Sequence, residues 1–143
     1  MIEDQKGGKM SGDLFADADI IFEYTLEQAL EDGVLVDVNE GDLAEVTQQH
    51  TKLKVYMTRA LFDLIEKAVK NKRQCNDWKG VWHDILWMSQ GARRHLQIGK
   101  PGYFKVIITG TGRKKLYTLQ VALSFASPES KEPHLVYMME DED

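Results

Sequence analysis

The sequence FKVIITGTGRKKLYTLQVALSF, residues 104–125, carries the clearest indication of the fold class. Apolar side chains recur at every second position on both sides of the glycine-rich break at residues 110–112, and polar side chains fill most positions between them. A period of two is typical of a strand with one buried face, and a glycine break between two such runs is typical of a hairpin turn. The pattern therefore predicts a β-hairpin with a turn that carries the cations of Arg113, Lys114 and Lys115.

A third strand is predicted after this hairpin. A polar turn at residues 127–133 leads into the apolar run Leu135–Met139, which ends at the acidic residues 140–143. Strands joined by short turns usually pair in antiparallel fashion. The C-terminal part of the chain is therefore predicted to be a three-stranded antiparallel meander.

Two amphipathic helices are predicted before the meander. Thr58 is a suitable N-cap for a helix from Arg59 to Lys72, and the apolar residues of this helix recur at three- and four-residue spacing. A second helix begins after Asn76 or Asp77 and runs toward Gln97. Its predicted apolar stripe comprises Trp78, Val81, Trp82, Ile85, Trp87, Met88 and Ala92.

The N-terminal half contributes a short helix and a strand. Thr25 and Gln28 have the spacing of a capping box, which predicts a helix over Leu26–Asp32, and Gly33 suits the left-handed position that ends a helix. The run Val34–Val38 is apolar on both faces apart from one aspartate, which favours a buried strand.

These elements predict an α+β fold in which helices pack on one face of a mostly antiparallel sheet. Residues 20–139 are expected to form a single domain, preceded by a flexible segment at 1–19 and followed by an acidic tail at 140–143. The first residues lack the basic start and apolar stretch of a signal peptide, and no run of eighteen apolar residues is present. We therefore expect a cytoplasmic protein without a membrane partner.

Charge is strongly segregated along the chain. Residues 1–51 carry 2 basic and 13 acidic groups, a net charge of −11, whereas residues 52–115 carry 15 basic and 4 acidic groups, a net charge of +11. Residues 116–143 carry 1 basic and 6 acidic groups, a net charge of −5. These blocks either pair with each other in the fold or leave a basic face for an anionic partner.

The sequence predicts no catalytic set, no metal site and no cofactor. The four histidines, His50, His83, His95 and His134, lie in different elements without the spacing of metal ligands, and the single Cys75 offers no thiolate cluster. The glycine turn of the hairpin lacks the Gly-Lys-Ser/Thr sequence of a phosphate-binding loop, and strands flank it on both sides.

Charged residues are the better candidates for an interaction site. Carboxylates surround the turn at Gly33, where they oppose the dipole of the short helix and are expected to serve a basic partner, either within the chain or outside it. The hairpin turn projects cations that are able to contact phosphate. The candidate interaction residues are Asp32, Asp37, Arg59, Arg113, Lys114 and Lys115.

Three segments resemble a known family. They are YTLEQALEDGVLVDV at 24–38, MTRAL at 57–61 and VWHDILWM at 81–88. The family comprises small uncharacterised proteins carried by phages, plasmids and integrated elements and is catalogued only as a domain of unknown function. The resemblance spans residues 20–139, and it implies an accessory role in a mobile element without supplying any catalytic residue.

Three functional hypotheses follow. The leading one is a non-enzymatic accessory protein that binds a protein of the host or of the element, because segregated charge orients encounters between proteins. The alternative is a nucleic-acid-binding protein that uses the basic centre and the hairpin turn. The third is an enzyme in which Asp32, Asp37 and Arg59 share a pocket.

Overall fold

The computed structural model describes residues 25–126 and 129–142. The segment 1–19, predicted to be flexible, lies outside the described residues. Within them the helices are α1 (Leu26–Glu31), α2 (Ala44–His50), α3 (Arg59–Lys70), α4 (Trp78–Met88) and α5 (Gln90–Arg93), with a 3-10 turn at Gly41–Leu43. The strands are β1 (Leu35–Asp37), β2 (Lys54–Thr58), β3 (Gly102–Ile107), β4 (Leu116–Phe125) and β5 (Pro133–Met139).

The strands form one sheet in the order β1-β2-β5-β4-β3. The pairs β3–β4 and β4–β5 are antiparallel, so the predicted C-terminal meander is confirmed. β1 and β2 are also antiparallel, whereas β2 and β5 run parallel, with Val55 opposite Leu135. The predicted α+β class with a mostly antiparallel sheet is therefore confirmed, and the parallel pair at its centre joins its two halves.

The run Val34–Val38 forms a strand, but the prediction that this strand is buried was wrong. β1 has three residues and lies at one edge of the sheet, and Val34 before it is 47% exposed. An edge strand has a neighbour on one side only, so its apolar side chains are less covered than those of a central strand. Val38, just past the strand, is buried in the core, and Val36 is partly buried against it.

Local capping signals place the helix ends. Thr25 and Gln28 form the predicted capping box of α1, and Gly33 has the predicted positive φ, +76°. At α3, the Thr58 side chain accepts a hydrogen bond from the backbone N–H of Leu61. α3 ends at Lys70 rather than at Lys72, because Asn71 leaves the helical conformation.

The tryptophan-rich helix is shorter than predicted. α4 ends at Met88, and the four-residue α5 follows it. At the break, Ser89 Oγ lies 2.8 Å from the carbonyl of Leu86, to which it donates, and 2.7 Å from the hydroxyl of Tyr137. A serine that bonds its own helix backbone competes with the regular pattern, which explains why the helix breaks here.

The core lies between the sheet and helices α2, α3 and α4. Trp82 and Tyr137 are its largest fully buried side chains, and their rings meet edge to face at 5.2 Å. The prediction that Trp87 and Met88 belong to the apolar stripe was wrong, because both are about half exposed. Successive helical residues turn by about 100°, so Trp87 lies about 200° round from Ile85 and faces away from the core.

The other face of the sheet carries its own buried residues. His134 of β5 is buried there, its ring contacts Tyr56 at 5.2 Å, and burial lowers its pKa below the usual value. Beside them, Glu142 accepts hydrogen bonds of 2.7 Å from Thr58 Oγ1 and from the backbone N–H of Met139. In the described part of the chain, no helix combines the length and apolarity needed to cross a membrane.

Candidate functional site

Arg59 fastens the turn after α1 to the start of α3. Its Nε donates to the carbonyl of Gly33 at 3.0 Å, and its backbone N–H donates to the carbonyl of Val34 at 2.9 Å. The guanidinium also lies over the ring of Phe62, 4.9 Å from its centroid. The structure thus brings Arg59 beside the turn that Asp32 precedes, and it gives the guanidinium contacts within the chain.

Asp37 organises the turn that follows β1. Its Oδ1 accepts from the backbone N–H of Asn39 at 2.7 Å and from the side-chain amide of Asn39 at 2.8 Å. Asn39 in turn exchanges two hydrogen bonds with the backbone of Val55. Asp37 pairs with Tyr56, which lies three residues before Arg59 in the chain. At the rise of an extended chain, three residues separate the backbones of Asp37 and Arg59 by about 10 Å. Asp37 and Arg59 therefore do not converge, and the structure gives the enzyme hypothesis no shared site there.

The histidines come closer than their positions in the sequence suggest. The rings of His50 and His83 meet edge to face at 5.0 Å, and His83 stacks on Trp87. Burial, and then the electrostatic effects of His83 and Arg93, lower the pKa of His50. Among the described residues, no group of three or more His, Cys, Asp or Glu side chains could hold a metal ion.

The cations of the β3–β4 loop are exposed and their loop is anchored. Lys114 Nζ lies over the ring of Tyr117, 4.7 Å from its centroid. At the base of the loop, the Asn71 side chain donates to the carbonyl of Gly110 at 3.1 Å, and the Asn76 side chain donates to the carbonyl of Thr109 at 2.9 Å. Gly110 adopts φ +95°, and a Cβ there would lie 3.2 Å from the carbonyl oxygen of Ala68, so glycine permits this close approach.

This anchoring builds a basic surface from two separate parts of the chain. The basic surface consists of the exposed cations Lys67, Lys70, Lys72, Arg73, Arg113, Lys114 and Lys115. The described residues include a Lys70–Glu66 ion pair and a close His83–Asp84 contact, both inside the central block of sequence.

A shallow depression of about 600 Å³ opens between α3 and the β3–β4 loop, beside the basic surface. Glu66 on its wall accepts a 2.6 Å hydrogen bond from Trp78 Nε1, and this bond lowers the pKa of the carboxyl below its usual value. Lys70 lies 3.5 Å from the same carboxylate. Trp78 and Lys70 therefore both interact with the Glu66 carboxylate, and the lining of the depression carries the cations Lys67 and Lys70 beside the carboxylates Asp63 and Glu66.

An apolar groove lies at the opposite edge of the sheet from β1, between α4 and β3. The groove has a volume of about 290 Å³ and is lined by Asp84, Trp87, Met88, Lys105, Val106, Ile107 and Leu116. Trp87 is 57% exposed and Ile107 is 65% exposed, while Met88 and Leu116 are about half exposed. The β3–β4 loop, with its three cations, adjoins the groove, because Leu116 follows Lys115 in the chain.

Sequence reasoning missed this groove, although two signals for it were present. Ile107 occupies an outward position in the period-two pattern of β3, where Tyr103 and Lys105 also lie. Trp87 lies on the side of α4 opposite to Ile85, so it does not belong to the same stripe. An apolar residue in each of these solvent-facing positions is the feature that would have indicated a surface site.

Comparison with known proteins gives a family and nothing closer. The model of a family of unknown function, DUF6573, matches residues 11–143 of the chain. No curated protein and no solved structure gives a significant match. Because the match extends over nearly the whole sequence, the chain belongs to the family of unknown function DUF6573.

Proposed function

We propose that this chain is a small accessory protein of a mobile genetic element, and that it binds another protein rather than catalysing a reaction. The observation that carries the binding part is the apolar groove, where Trp87, Met88, Ile107 and Leu116 lie together and exposed. The mobile-element part rests on the resemblance of the three sequence segments. The partner is a protein of the host or of the element.

Burial of this groove would be favourable. These apolar side chains are in contact with water, so covering them with a partner would contribute favourable hydrophobic free energy. A clustered apolar patch with a charged rim is a usual mark of a protein interface. Tryptophan and methionine are enriched in such interfaces, and tryptophan is common among the residues that dominate binding. Trp87, which lines the groove, is therefore the expected anchor.

The charges around the groove favour an anionic partner. Lys105 lies on its wall, and the loop that carries Arg113, Lys114 and Lys115 leads into it at Leu116. Asp84 is the acidic residue among the lining side chains. Charge of one sign beside an apolar contact raises the rate of encounter with a partner of the opposite sign and excludes partners of the same sign.

The double substitution Trp87→Ala and Met88→Ala should abolish partner capture without unfolding the chain. Loss of a tryptophan that dominates an interface costs about 2 kcal/mol or more, which weakens binding by about 30-fold. The measurement is a quantitative pull-down from host cells that carry the element, after nuclease treatment, with wild type and variant compared protein by protein.

Ile98→Ala is the matched control for that experiment, because Ile98 is as exposed as Trp87 but does not line the groove. The control should retain every specifically captured protein, and both variants should keep the wild-type unfolding curve within about 0.5 kcal/mol. Captured proteins that are equally abundant with wild type and the groove variant would contradict the proposal.

A second candidate function is nucleic-acid binding, and the basic surface is the observation that favours it. The hydrogen bonds from Asn71 and Asn76 hold the base of the β3–β4 loop against the end of α3, so the loop that carries three cations adjoins a second cation-bearing segment. Two adjoining segments with cations suit a phosphate backbone better than the isolated hairpin turn that the sequence predicts.

Replacing Arg113, Lys114 and Lys115 with glutamine tests this second function. For duplex DNA, log K falls with log salt concentration, and each lost phosphate contact makes this negative slope shallower by about 0.9, so the magnitude of the slope should decrease by about 2.7 if all three make contact. The measurement is fluorescence anisotropy of a labelled random-sequence duplex over a range of salt concentrations.

The matched control replaces Lys52, Lys54 and Lys131 with glutamine. The pairing of Lys54 with His134, and of His134 with Ser124, places Lys54 at the other end of the sheet from the β3–β4 loop. This variant has the same net charge as the first, so an equal loss of affinity in both would indicate a general charge effect. Absence of binding at low salt would exclude the function.

A further inference from the structure

β3 forms an edge of the sheet and presents backbone groups that the described residues leave unpaired. Its neighbour is β4, and the backbone N–H of Ile108 donates to the carbonyl of Lys115 at 2.8 Å. In an antiparallel pair, successive residues point their N–H and C=O groups alternately toward the neighbour and away from it. The register places the groups of Val106 toward β4, and it places those of Lys105 and Ile107 toward the open edge.

The apolar groove runs along this open edge. Trp87 and Met88 of α4 form one wall, and the segment Lys105–Ile107 forms the other. Backbone donors and acceptors therefore lie beside large apolar side chains. An added strand needs both, because its main chain pairs with the edge while its alternate side chains enter adjoining pockets.

The charge of this edge selects the kind of strand that could join it. Lys105 points outward from β3, and Arg113, Lys114 and Lys115 lie in the loop just beyond the end of the strand. A lysine on an edge strand discourages pairing with unselected strands, and a second copy of this chain would bring Lys105 close to its own counterpart. An acidic strand would meet opposite charges instead.

We propose that the groove and the free edge of β3 bind an extended acidic segment of a partner protein, which adds to the sheet as a sixth strand. Its main chain bonds to the outward N–H and C=O groups of Lys105 and Ile107. One of its apolar side chains enters the groove against Trp87, and its carboxylates face Lys105 and the β3–β4 loop. This inference rests on the proposed function, for which it specifies the partner and the mode of binding.

The experiment begins with selection of peptides from a displayed library of random twelve-residue sequences. The whole chain is the target, and sequences that also bind Trp87→Ala are removed. The selected peptides should be acidic, should alternate apolar and polar residues, and should bind Lys105→Glu at least tenfold more weakly than wild type. The best peptide is then used to compare amide hydrogen exchange, residue by residue, in the free chain and in the complex.

The exchange pattern distinguishes strand addition from other modes of binding. Exchange at Lys105 and Ile107 should slow at least tenfold in the complex, while Phe104 and Val106, which already pair with β4, should change little. A peptide that needs Trp87 but leaves Lys105 and Ile107 unchanged would overturn strand addition and leave the proposed function standing.

Two further outcomes are decisive. If selection yields no peptide that depends on Trp87, both the strand addition and the protein-binding function fall. If the free chain forms a dimer in which Lys105 and Ile107 are already protected, the edge is occupied by a second copy, and the acidic partner is overturned.

Discussion

Trp82→Ala is expected to lower the free energy of unfolding by about 3–5 kcal/mol, the usual cost of removing a large aromatic side chain from a packed core. Trp82 is 0% exposed and packs edge to face on Tyr137. Its Nε1 donates to Thr47 Oγ1 at 2.9 Å, and the Thr47 hydroxyl lies 3.0 Å from the carbonyl of Val38. The substitution would leave a cavity and an incomplete polar network at the contact between α2 and α4.

Chemical denaturation followed by circular dichroism measures this effect, with Trp87→Ala as the matched control. Both variants remove a tryptophan from α4, but Trp87 is mostly exposed, so its loss should change stability by no more than about 0.5 kcal/mol. Similar losses in the two variants would contradict the assignment of Trp82 to the core and of Trp87 to a surface groove.

The sequence predicts those parts of the fold that depend on neighbouring residues. The alternation in β3 and β4, the capping box at Thr25 and the positive φ at Gly33 are local features, and the structure confirms each. The pairing of β2 with β5 was not predictable in this way. It joins Val55 to Leu135, 80 positions apart, and nothing in either strand encodes its partner.

The site was less predictable than the fold. Charge pointed to Arg59 and Asp37, and the structure gives both of them contacts within the chain, so their role in binding stays a prediction. The groove depends on which side of α4 Trp87 occupies and on which strand becomes the edge. The first follows from helical geometry, whereas the second depends on the strand order, which is a property of the whole fold.

Asn39→Ala is expected to lower the free energy of unfolding by about 2–4 kcal/mol, a large effect for a polar residue outside the regular elements. The Asn39 side chain acts as an extra strand residue after β1. Its Oδ1 accepts from the backbone N–H of Val55 at 2.7 Å, and its Nδ2 donates to the carbonyl of Val55 at 2.8 Å. Val55 is fully buried, so alanine would leave a donor and an acceptor with little access to water.

Asp37→Ala provides the control that separates this role from the rest of the turn. Asp37 holds the Asn39 side chain in place but does not contact Val55, so its loss should cost only about 1 kcal/mol. The double variant should lose less stability than the sum of the two single losses, because Asp37 acts partly through the Asn39 side chain that it positions, whereas its hydrogen bond from the backbone N–H of Asn39 remains in Asn39→Ala. Additive losses would show that Asp37 stabilises the chain independently, and a loss under 1 kcal/mol for Asn39→Ala would mean that water replaces both hydrogen bonds to Val55.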